Sequence, residues 1–265
     1  MPSAVGPQRI VCLTEEPTEI LWALGEGARV VGISAWTVRP PEAREAAPIV
    51  SAFIDGSVEK IAALEPDLVI GFSDIQADLA AKLIRAGLQV LIFNQRTLEE
   101  ILGVVSTLGH LVGRGAEAEA LVASYRARLE TMRTKTSTRS ARPRVYFEEW
   151  PDPMITGIRW VSELIEITGG QDLFAEKSRG AMAKERFVTA DEVLAARPDL
   201  ILASWCGKAV EHDAFAARPG WEDLPAARAE RIVEIPSATI LQPGPGCLTA
   251  GLDAVHHAME AWREG

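Results

Sequence analysis

The feature that most constrains this 265-residue chain is a short phrase that occurs once in each half. The stretch from Glu59 to Ile70 reads EKIAALEPDLVI, and the stretch from Asp191 to Leu202 reads DEVLAARPDLIL. In both copies a helical run is stopped by a proline, and a β-branched apolar run follows. A helix-turn-strand unit that occurs twice predicts two lobes of alternating strands and helices, each with a parallel sheet.

The rest of each half follows the same order of elements. Apolar runs over Arg9–Leu13 and Arg144–Phe147 predict an opening strand in each half. Pro17–Gly27 and Trp160–Gly170 then place apolar residues at helical spacing and end on glycine, which favours a helix C-terminus. The sequence therefore predicts an α/β fold of two doubly wound lobes.

A single long helix is predicted between the halves. From Ala116 to Ser137 apolar residues recur every three or four positions, without the glycine or serine runs of a flexible linker. The predicted domains are an N-terminal α/β lobe over 1–114, a bridging helix over 115–138 and a C-terminal α/β lobe over 139–265.

Composition excludes several classes of partner. The net charge of −10 argues against binding to nucleic acid or to an anionic lipid surface. The longest charge-free apolar run, Ile101–Gly113, is too short to cross a bilayer, so membrane insertion is not expected. No secretory leader is visible, which leaves a cytoplasmic protein and a protein whose leader has been removed as alternatives.

Acidic pairs follow the first strand of each half. Glu15 and Glu16 follow the strand at Arg9–Leu13, and Glu148 and Glu149 stand at the matching place in the second half. Parallel α/β sheets bind ligands beyond the carboxyl ends of their strands, and carboxylates suit a ligand with cations or many N–H donors. Solvated loop charges, or charges that favour a helix N-terminus, are the alternative interpretation.

Large aromatic side chains also fall at predicted strand ends. Those that follow strands are Trp36, Phe72, Trp150 and Trp205. Trp160 opens the helix after the second glutamate loop, and Phe53 lies just before the first copy of the repeated phrase. Broad aromatic faces suit a large, rigid, partly apolar ligand, although any one of them could be a packing residue. If the two lobes face each other, these aromatics and the glutamates should line one cleft.

Catalytic motifs are absent from the sequence. The histidines at 110, 212, 256 and 257 have no metal-binding spacing, and Cys206 has no histidine placed to activate it. An oxygen site for a hard cation, built from the four glutamates, stays open. We expect no enzyme, no catalytic residue, no resident metal and no cofactor.

Several stretches resemble one known family over nearly the whole chain. RIVCLTEEPTEILWALGEGARVVGIS, VEKIAALEPDLVIG, WVSELIEITGG and LQPGPGCLTAGLD are similar to the solute-binding proteins of cobalamin and iron-siderophore ABC importers. The resemblance implies two Rossmann-like lobes joined by one long helix, a periplasmic or extracytoplasmic location, a monomer, and delivery of a ligand to a permease dimer.

The resemblance also assigns roles to residues. Glu59 and Asp191 match the acidic positions that dock to permease arginines, and Trp36, Phe53 and Phe72 match aromatic positions that hold a corrin ring. A cobalamin-like corrinoid is the first expectation, because its amide groups would donate to Glu15 and Glu148.

Other ligands and other roles stay open. A ferric siderophore is usually anionic and would need arginines such as Arg39 and Arg159. A haem would need a tyrosine or histidine ligand, and Tyr125 and Tyr146 fall in a helix and a strand. Alternative functions are a cytoplasmic corrinoid or metal-chelate carrier, a cofactor-handling protein on the same scaffold and, last, an interaction module without a small-molecule ligand.

Overall fold

The computed structural model describes residues 5–264 and divides them into two compact units. The first unit comprises the described residues up to Gln95, together with Glu99–Tyr125 and Gln242–Gly246. The second unit comprises Arg96–Leu98, Arg126–Leu241 and the chain from Cys247 onward. Gln242–Gly246, here called the QPGPG segment, had been predicted to belong to the C-terminal lobe and instead belongs to the first unit.

The first unit is built on one mixed sheet. Its strands are β1 (Ile10–Cys12), β2 (Val30–Ser34), β3 (Ile49–Ala52), β4 (Asp55–Gly56), β5 (Leu68–Phe72) and β6 (Val90–Phe93). They lie in the order β4-β3-β2-β1-β5-β6, and every pair is parallel except β3 with β4. The chain therefore builds outward from β1 in both directions, as in doubly wound folds.

Helices connect these strands. They are α1 (Glu15–Ala23), α2 (Ala43–Ala46), α3 (Val58–Ala62), α4 (Ala77–Arg85) and α5 (Leu98–Leu111). The stretch predicted to bridge the halves forms α6 (Gly115–Ser137), whose residues fall in the first unit through Tyr125 and in the second from Arg126. Val11, Val69, Leu79 and Leu83 pack together and cover one face of the sheet with apolar side chains.

The second unit has its own sheet. Its strands are β7 (Arg144–Pro151), β8 (Met154–Thr156), β9 (Gln171–Asp172), β10 (Leu200–Ala203) and β11 (Ile232–Glu234). They lie in the order β11-β10-β7-β8, with β9 paired beside the start of β7. The pairs are parallel except the hairpin of β7 with β8.

The helices of the second unit surround an aromatic core. They are α7 (Arg159–Ile167), α8 (Ala190–Ala196), α9 (His212–Ala216), α10 (Pro225–Arg228), α11 (Ser237–Ile240) and α12 (Leu252–Glu264). Tyr146, Phe215 and Trp221 are fully buried, and the Trp221 ring contacts the rings of both Tyr146 and Phe215. In residues 5–264 no helix is both long enough and apolar enough to cross a membrane.

The repeated phrase adopts the same backbone in both units. Glu65 and Arg197, each directly before the proline of its copy, have left-handed φ angles of 47° and 46°. Arg197 is the left-handed C-cap of α8, whereas Glu65 lies three residues beyond the end of α3. In both copies the left-handed residue turns the chain into the next strand. The predicted α/β fold with an internal duplication is confirmed.

An aspartate of the same phrase attaches each copy to the opening strand of its unit. A carboxylate oxygen of Asp67 accepts from the backbone N–H of Arg9 at 2.9 Å, and Asp199 accepts from that of Arg144 at 3.0 Å. Each aspartate thus satisfies a backbone donor at the start of β1 or β7, where the sheet ladder provides no partner.

Candidate functional site

The carboxyl ends of the strands in the first unit collect the residues predicted from the first half. Glu15 and Glu16 follow β1, Trp36 follows β2, Phe53 follows β3, and Phe72 is the last residue of β5. Strand β1 lies between β2 and β5, where the chain reverses its direction of winding. This is the place at which doubly wound sheets bind ligands, and we call it the ligand edge of the first unit.

Large apolar side chains are exposed along the ligand edge. The exposed fraction is 46% for Trp36, 50% for Ile54 and 47% for Ile75, whereas Phe53 is half-buried and Phe72 is buried. Ile54 lies two residues beyond the end of β3, and Ile75 lies three residues beyond the end of β5. Neither was predicted, because an isolated isoleucine in a sequence carries no signal of a ligand surface. Exposed apolar groups on neighbouring strand ends indicate a surface that contacts a ligand.

A buried amide joins three of these strand ends. The Gln76 side chain accepts from the backbone N–H of Phe72 at 2.9 Å and donates to the carbonyl groups of Phe53 and Leu13. Gly71 is required beside it, because a Cβ at that position would lie 2.4 Å from the Gln76 side-chain oxygen. Nothing in the sequence singles out Gln76, since its partners are all backbone groups.

Glu15 and Glu16 form the first turn of α1 instead of a loop. Both are nearly inaccessible, at 5% and 1% exposure. Glu15 accepts from the Gln242 side-chain amide at 3.0 Å, and Glu16 accepts from the Thr14 hydroxyl at 2.9 Å. The second carboxyl oxygen of each has no hydrogen-bond partner within the described residues.

This burial changes the protonation of both carboxyl groups. Loss of solvent raises the pKa of Glu15 to about 7. Loss of solvent, and then the neighbouring charge of Glu15, raise the pKa of Glu16 to about 8. The pair therefore takes up or releases protons near neutral pH, which a solvated glutamate does not do.

Glu148 and Glu149 do not occupy the equivalent place in the second unit. They lie inside β7, whereas the first pair begins a helix. Glu148 is fully buried and accepts from the Arg218 guanidinium at 2.6 and 3.0 Å, as well as from Tyr146 and Trp205. The environment of Glu148 is that of a core ion pair and does not support a contact with a ligand.

The other predicted residues of the second unit are mostly engaged as well. Glu149 pairs with Arg186 at 2.5 and 3.0 Å. Trp160 and Trp205 are buried, and the Trp160 indole N–H donates to the carbonyl of Ile240 at 2.8 Å. Trp150 is half-buried, and the Lys208 ammonium lies 4.7 Å from the centre of its ring. Trp150 is therefore less buried than Trp160 and Trp205, but its ring also has a partner within the second unit.

No metal site forms from the four glutamates. Within residues 5–264, no group of three or more histidine, cysteine or acidic side chains is placed to hold a metal ion. The arginine partners of Glu148 and Glu149 already neutralise that pair.

The two residues predicted to dock a transporter lie in equivalent places. Glu59 and Asp191 are exposed in the first turns of α3 and α8, after the N-cap residues Ser57 and Thr189. Hydrogen bonds from the backbone, and then from the Ser57 hydroxyl, lower the pKa of Glu59. A stable negative charge thus stands at one of these helix starts.

Two duplicated α/β units with apolar side chains exposed at strand ends are typical of a ligand-binding protein. The chain belongs to the periplasmic binding protein family, whose profile matches residues 10–239. The resemblance found in the sequence is therefore confirmed. Members of this family are ligand carriers and not enzymes, as the sequence analysis expected.

Named relatives narrow the class. The chain is 27% identical over 254 residues to a vitamin B12-binding protein of Vibrio parahaemolyticus. The aligned region covers 94% of this chain and 89% of the relative. It is 26% identical over 248 residues to an uncharacterised ABC transporter substrate-binding lipoprotein, YvrC, of Bacillus subtilis, over 90% of this chain and 76% of the relative. The chain is a substrate-binding protein of the ABC-importer type.

Solved structures of similar fold include proteins that are named for two different ligands, vitamin B12 and haem. The periplasmic vitamin B12-binding protein BtuF of Vibrio cholerae is 25% identical with a TM-score of 0.77, over 98% of this chain and 99% of that one. The periplasmic haem-binding protein RhuT from Roseiflexus sp. RS-1 is 27% identical with a TM-score of 0.79, over 96% and 100%. Similarity of this degree does not separate a corrinoid from a haem.

Proposed function

We propose that this protein captures a corrinoid of the cobalamin type and delivers it to the permease dimer of an ABC importer. The observation that carries the proposal is the row of exposed apolar side chains, Trp36, Ile54 and Ile75, on the ligand edge of the first unit. The strands that they follow, β3, β2 and β5, span three strand spacings, or about 14 Å. A surface of that width suits the face of a macrocycle, with Phe53 and Phe72 as further contacts in the same unit.

The surroundings of the tyrosines favour a corrinoid over a haem. Tyr125 and Tyr146 are both buried, and the Tyr146 hydroxyl donates to Glu148 at 3.0 Å. Neither phenol is open to coordinate an iron atom at a strand end.

The arginines argue against an anionic siderophore. Arg39 pairs with Glu19 at 2.9 Å, and Arg159 pairs with Glu163 at 3.2 Å. An anionic ligand would have to compete with these carboxylates for each guanidinium group. A corrinoid with neutral amide groups has no such requirement.

Delivery to a transporter assigns a role to the duplicated helix starts. We propose that Glu59 and Asp191 dock to basic residues of the permease, because both are exposed and occupy matching positions in the repeat. This role requires an extracytoplasmic location. The alternative, a cytoplasmic corrinoid carrier, predicts that the protein is found with the soluble cytoplasmic fraction of its native cells.

Isothermal titration calorimetry tests the ligand directly. Cyanocobalamin, haemin and a ferric catecholate siderophore are titrated into the protein, into Trp36→Ala and into Ile84→Ala. Ile84 is an equally exposed apolar residue on α4 and serves as the matched control. We expect one-to-one binding of cyanocobalamin that weakens at least tenfold in Trp36→Ala and stays unchanged in Ile84→Ala. Tighter binding of haemin or of the siderophore would overturn the assignment.

A further inference from the structure

Hydrogen bonds attach the QPGPG segment to other parts of the first unit. The Gln242 side chain donates to Glu15 at 3.0 Å, and the backbone N–H of Gly246 donates to Glu19 at 3.0 Å. The carbonyl of Pro243 accepts from the Gln95 side chain at 3.2 Å. Glu15 follows β1 and Gln95 follows β6, so the segment lies along the ligand edge.

The segment also packs tightly against helix α1. A Cβ added at Gly244 would lie 2.7 Å from the Cβ of Glu16, closer than side-chain carbons approach each other in proteins. Glycine is therefore required at this position, and the segment covers the Glu16 side chain.

The carboxyl groups of Glu15 and Glu16, which the segment covers, are not fully hydrogen-bonded within the described residues. Glu15 and Glu16 each retain one buried oxygen without a hydrogen bond among the described residues. The titratable and charged groups around the pair are Glu19, on the same helix, and Cys12, at the end of β1. Arg39 is paired with Glu19, and the QPGPG segment itself carries no charge.

We infer that Glu15, Glu16 and Glu19 are positioning residues that hold the QPGPG segment as a wall of the ligand edge, and that loss of a proton from the Glu15–Glu16 pair releases it. The part of this inference that concerns the ligand rests on the proposed function. The part that concerns the segment stands on the contacts of α1 alone.

The direction of the pH effect follows from burial. When the QPGPG segment is seated, that is, held against α1 as in the structure, the pKa values of Glu15 and Glu16 are about 7 and about 8, above the ordinary glutamate value of 4.5. The seated segment therefore binds more protons than a released one, and its stability falls as pH rises from the ordinary value through the raised values. The segment is held at mildly acidic pH and loosens above neutrality.

Hydrogen exchange measured by mass spectrometry tests the release without any ligand. The amides of Gly244 and Gly246 report directly, since Gly246 donates to Glu19. Their protection, corrected for intrinsic exchange, should fall by about tenfold or more between pH 6 and pH 9. Peptides from β5 in the same digest serve as an internal reference for global opening.

Three variants make the test specific. Glu16→Gln removes the titrating proton with little change of shape, so protection of the segment should become much less dependent on pH. Glu42→Gln, at an exposed glutamate of the same unit, should behave as the unmodified protein does. Gly244→Ala should raise exchange of the segment at every pH. Equal protection at pH 6 and pH 9, or an unchanged pH response in Glu16→Gln, would overturn the inference.

Ligand titrations separate this inference from the proposed function. The affinity for cyanocobalamin should weaken several-fold from pH 6 to pH 9, and less so in Glu16→Gln. An affinity that does not change with pH, beside a pH-dependent exchange, would refute the segment as a wall of the ligand site. Absence of cyanocobalamin binding at every pH would refute the proposed function, while the exchange result would still decide the release of the segment.

Discussion

The Arg218 guanidinium donates two hydrogen bonds, of 2.6 and 3.0 Å, to the Glu148 carboxylate in the core of the second unit. The same guanidinium lies 4.5 Å from the ring centre of Trp221 and 4.8 Å from that of Phe215. These contacts attach the loop after β10 to the middle of β7. A glutamate that appears in the sequence as a ligand acceptor is thus part of the internal framework.

Removal of Arg218 should destabilise the protein strongly. Arg218→Met leaves a fully buried carboxylate without its cation, and such a loss costs about 3–5 kcal/mol of unfolding free energy. Urea denaturation followed by circular dichroism measures the change. Arg228→Met, which breaks the exposed pair with Asp223, is the control and should change the free energy by less than about 1 kcal/mol.

A double variant separates the unpaired charge from lost packing. Arg218→Met combined with Glu148→Gln should recover part of the lost stability, because the uncompensated buried charge is gone. No recovery in the double variant would contradict the role of the ion pair.

Gln76 should be intolerant of substitution. Gln76→Leu leaves a buried N–H of Phe72 and the carbonyl of Phe53 without their side-chain partner, and each such group costs about 1–3 kcal/mol. We expect a clear drop in the urea concentration at the midpoint of unfolding. Cyanocobalamin should also bind more weakly, because the hydrogen bonds that join three strand ends through the Gln76 amide are lost. Gln89→Leu, at an exposed glutamine of the same unit, should leave both measurements nearly unchanged.

Much of the fold was predictable because its signals are local. The repeated phrase, with Pro66 and Pro198 after a helical run, specifies the same helix end and strand start twice, and the structure contains both. The end of β1 and the position of Trp36 after β2 follow from the same alternation of elements.

The contacts that the sequence could not indicate join distant parts of the chain. Arg218 is far from Glu148 in sequence, and Gln242 is far from Glu15, so no spacing rule relates them. Gln76 was missed for a related reason, since its partners are backbone groups that every sequence offers. The end of a strand can therefore be predicted from the sequence, whereas the hydrogen-bond or ion-pair partner of a side chain at that end cannot.

Stability should depend on pH through the glutamate pair of α1. Glu15 and Glu16 have folded-state pKa values of about 7 and about 8 against an ordinary value of 4.5, so the folded state binds the extra protons. The unfolding free energy should fall by on the order of a few kcal/mol as pH rises from about 5 to 9. Urea titrations at several pH values measure this slope.

The Glu16→Gln variant tests the origin of that slope. It should match the unmodified protein near pH 5 and become the more stable of the two by pH 9, because its amide cannot ionise. Parallel curves for the two proteins across this range would show that Glu16 does not cause the slope.

Charge reversal at the helix starts should separate docking from ligand capture. Glu59→Arg combined with Asp191→Arg should leave the affinity for cyanocobalamin unchanged, since both side chains are exposed in the first turns of α3 and α8 and neither is among the side chains proposed to contact the ligand. Stimulation of ATP hydrolysis by the reconstituted importer should be lost. Asp78→Arg with Asp213→Arg, at exposed acids near the starts of α4 and α9, is the control, and equal loss in the control would refute specific docking.

The QPGPG segment has a consequence for dissecting the protein into pieces. Neither unit is a continuous length of polypeptide, because the first takes its last five residues from near the C-terminus. A fragment that ends within α6 would lack Gln242 and Gly246, and the glutamates of α1 would lose the donors that cover them. Both halves carry the repeated phrase, yet they are not interchangeable modules. A split protein should regain full order only when the C-terminal fragment is supplied in trans.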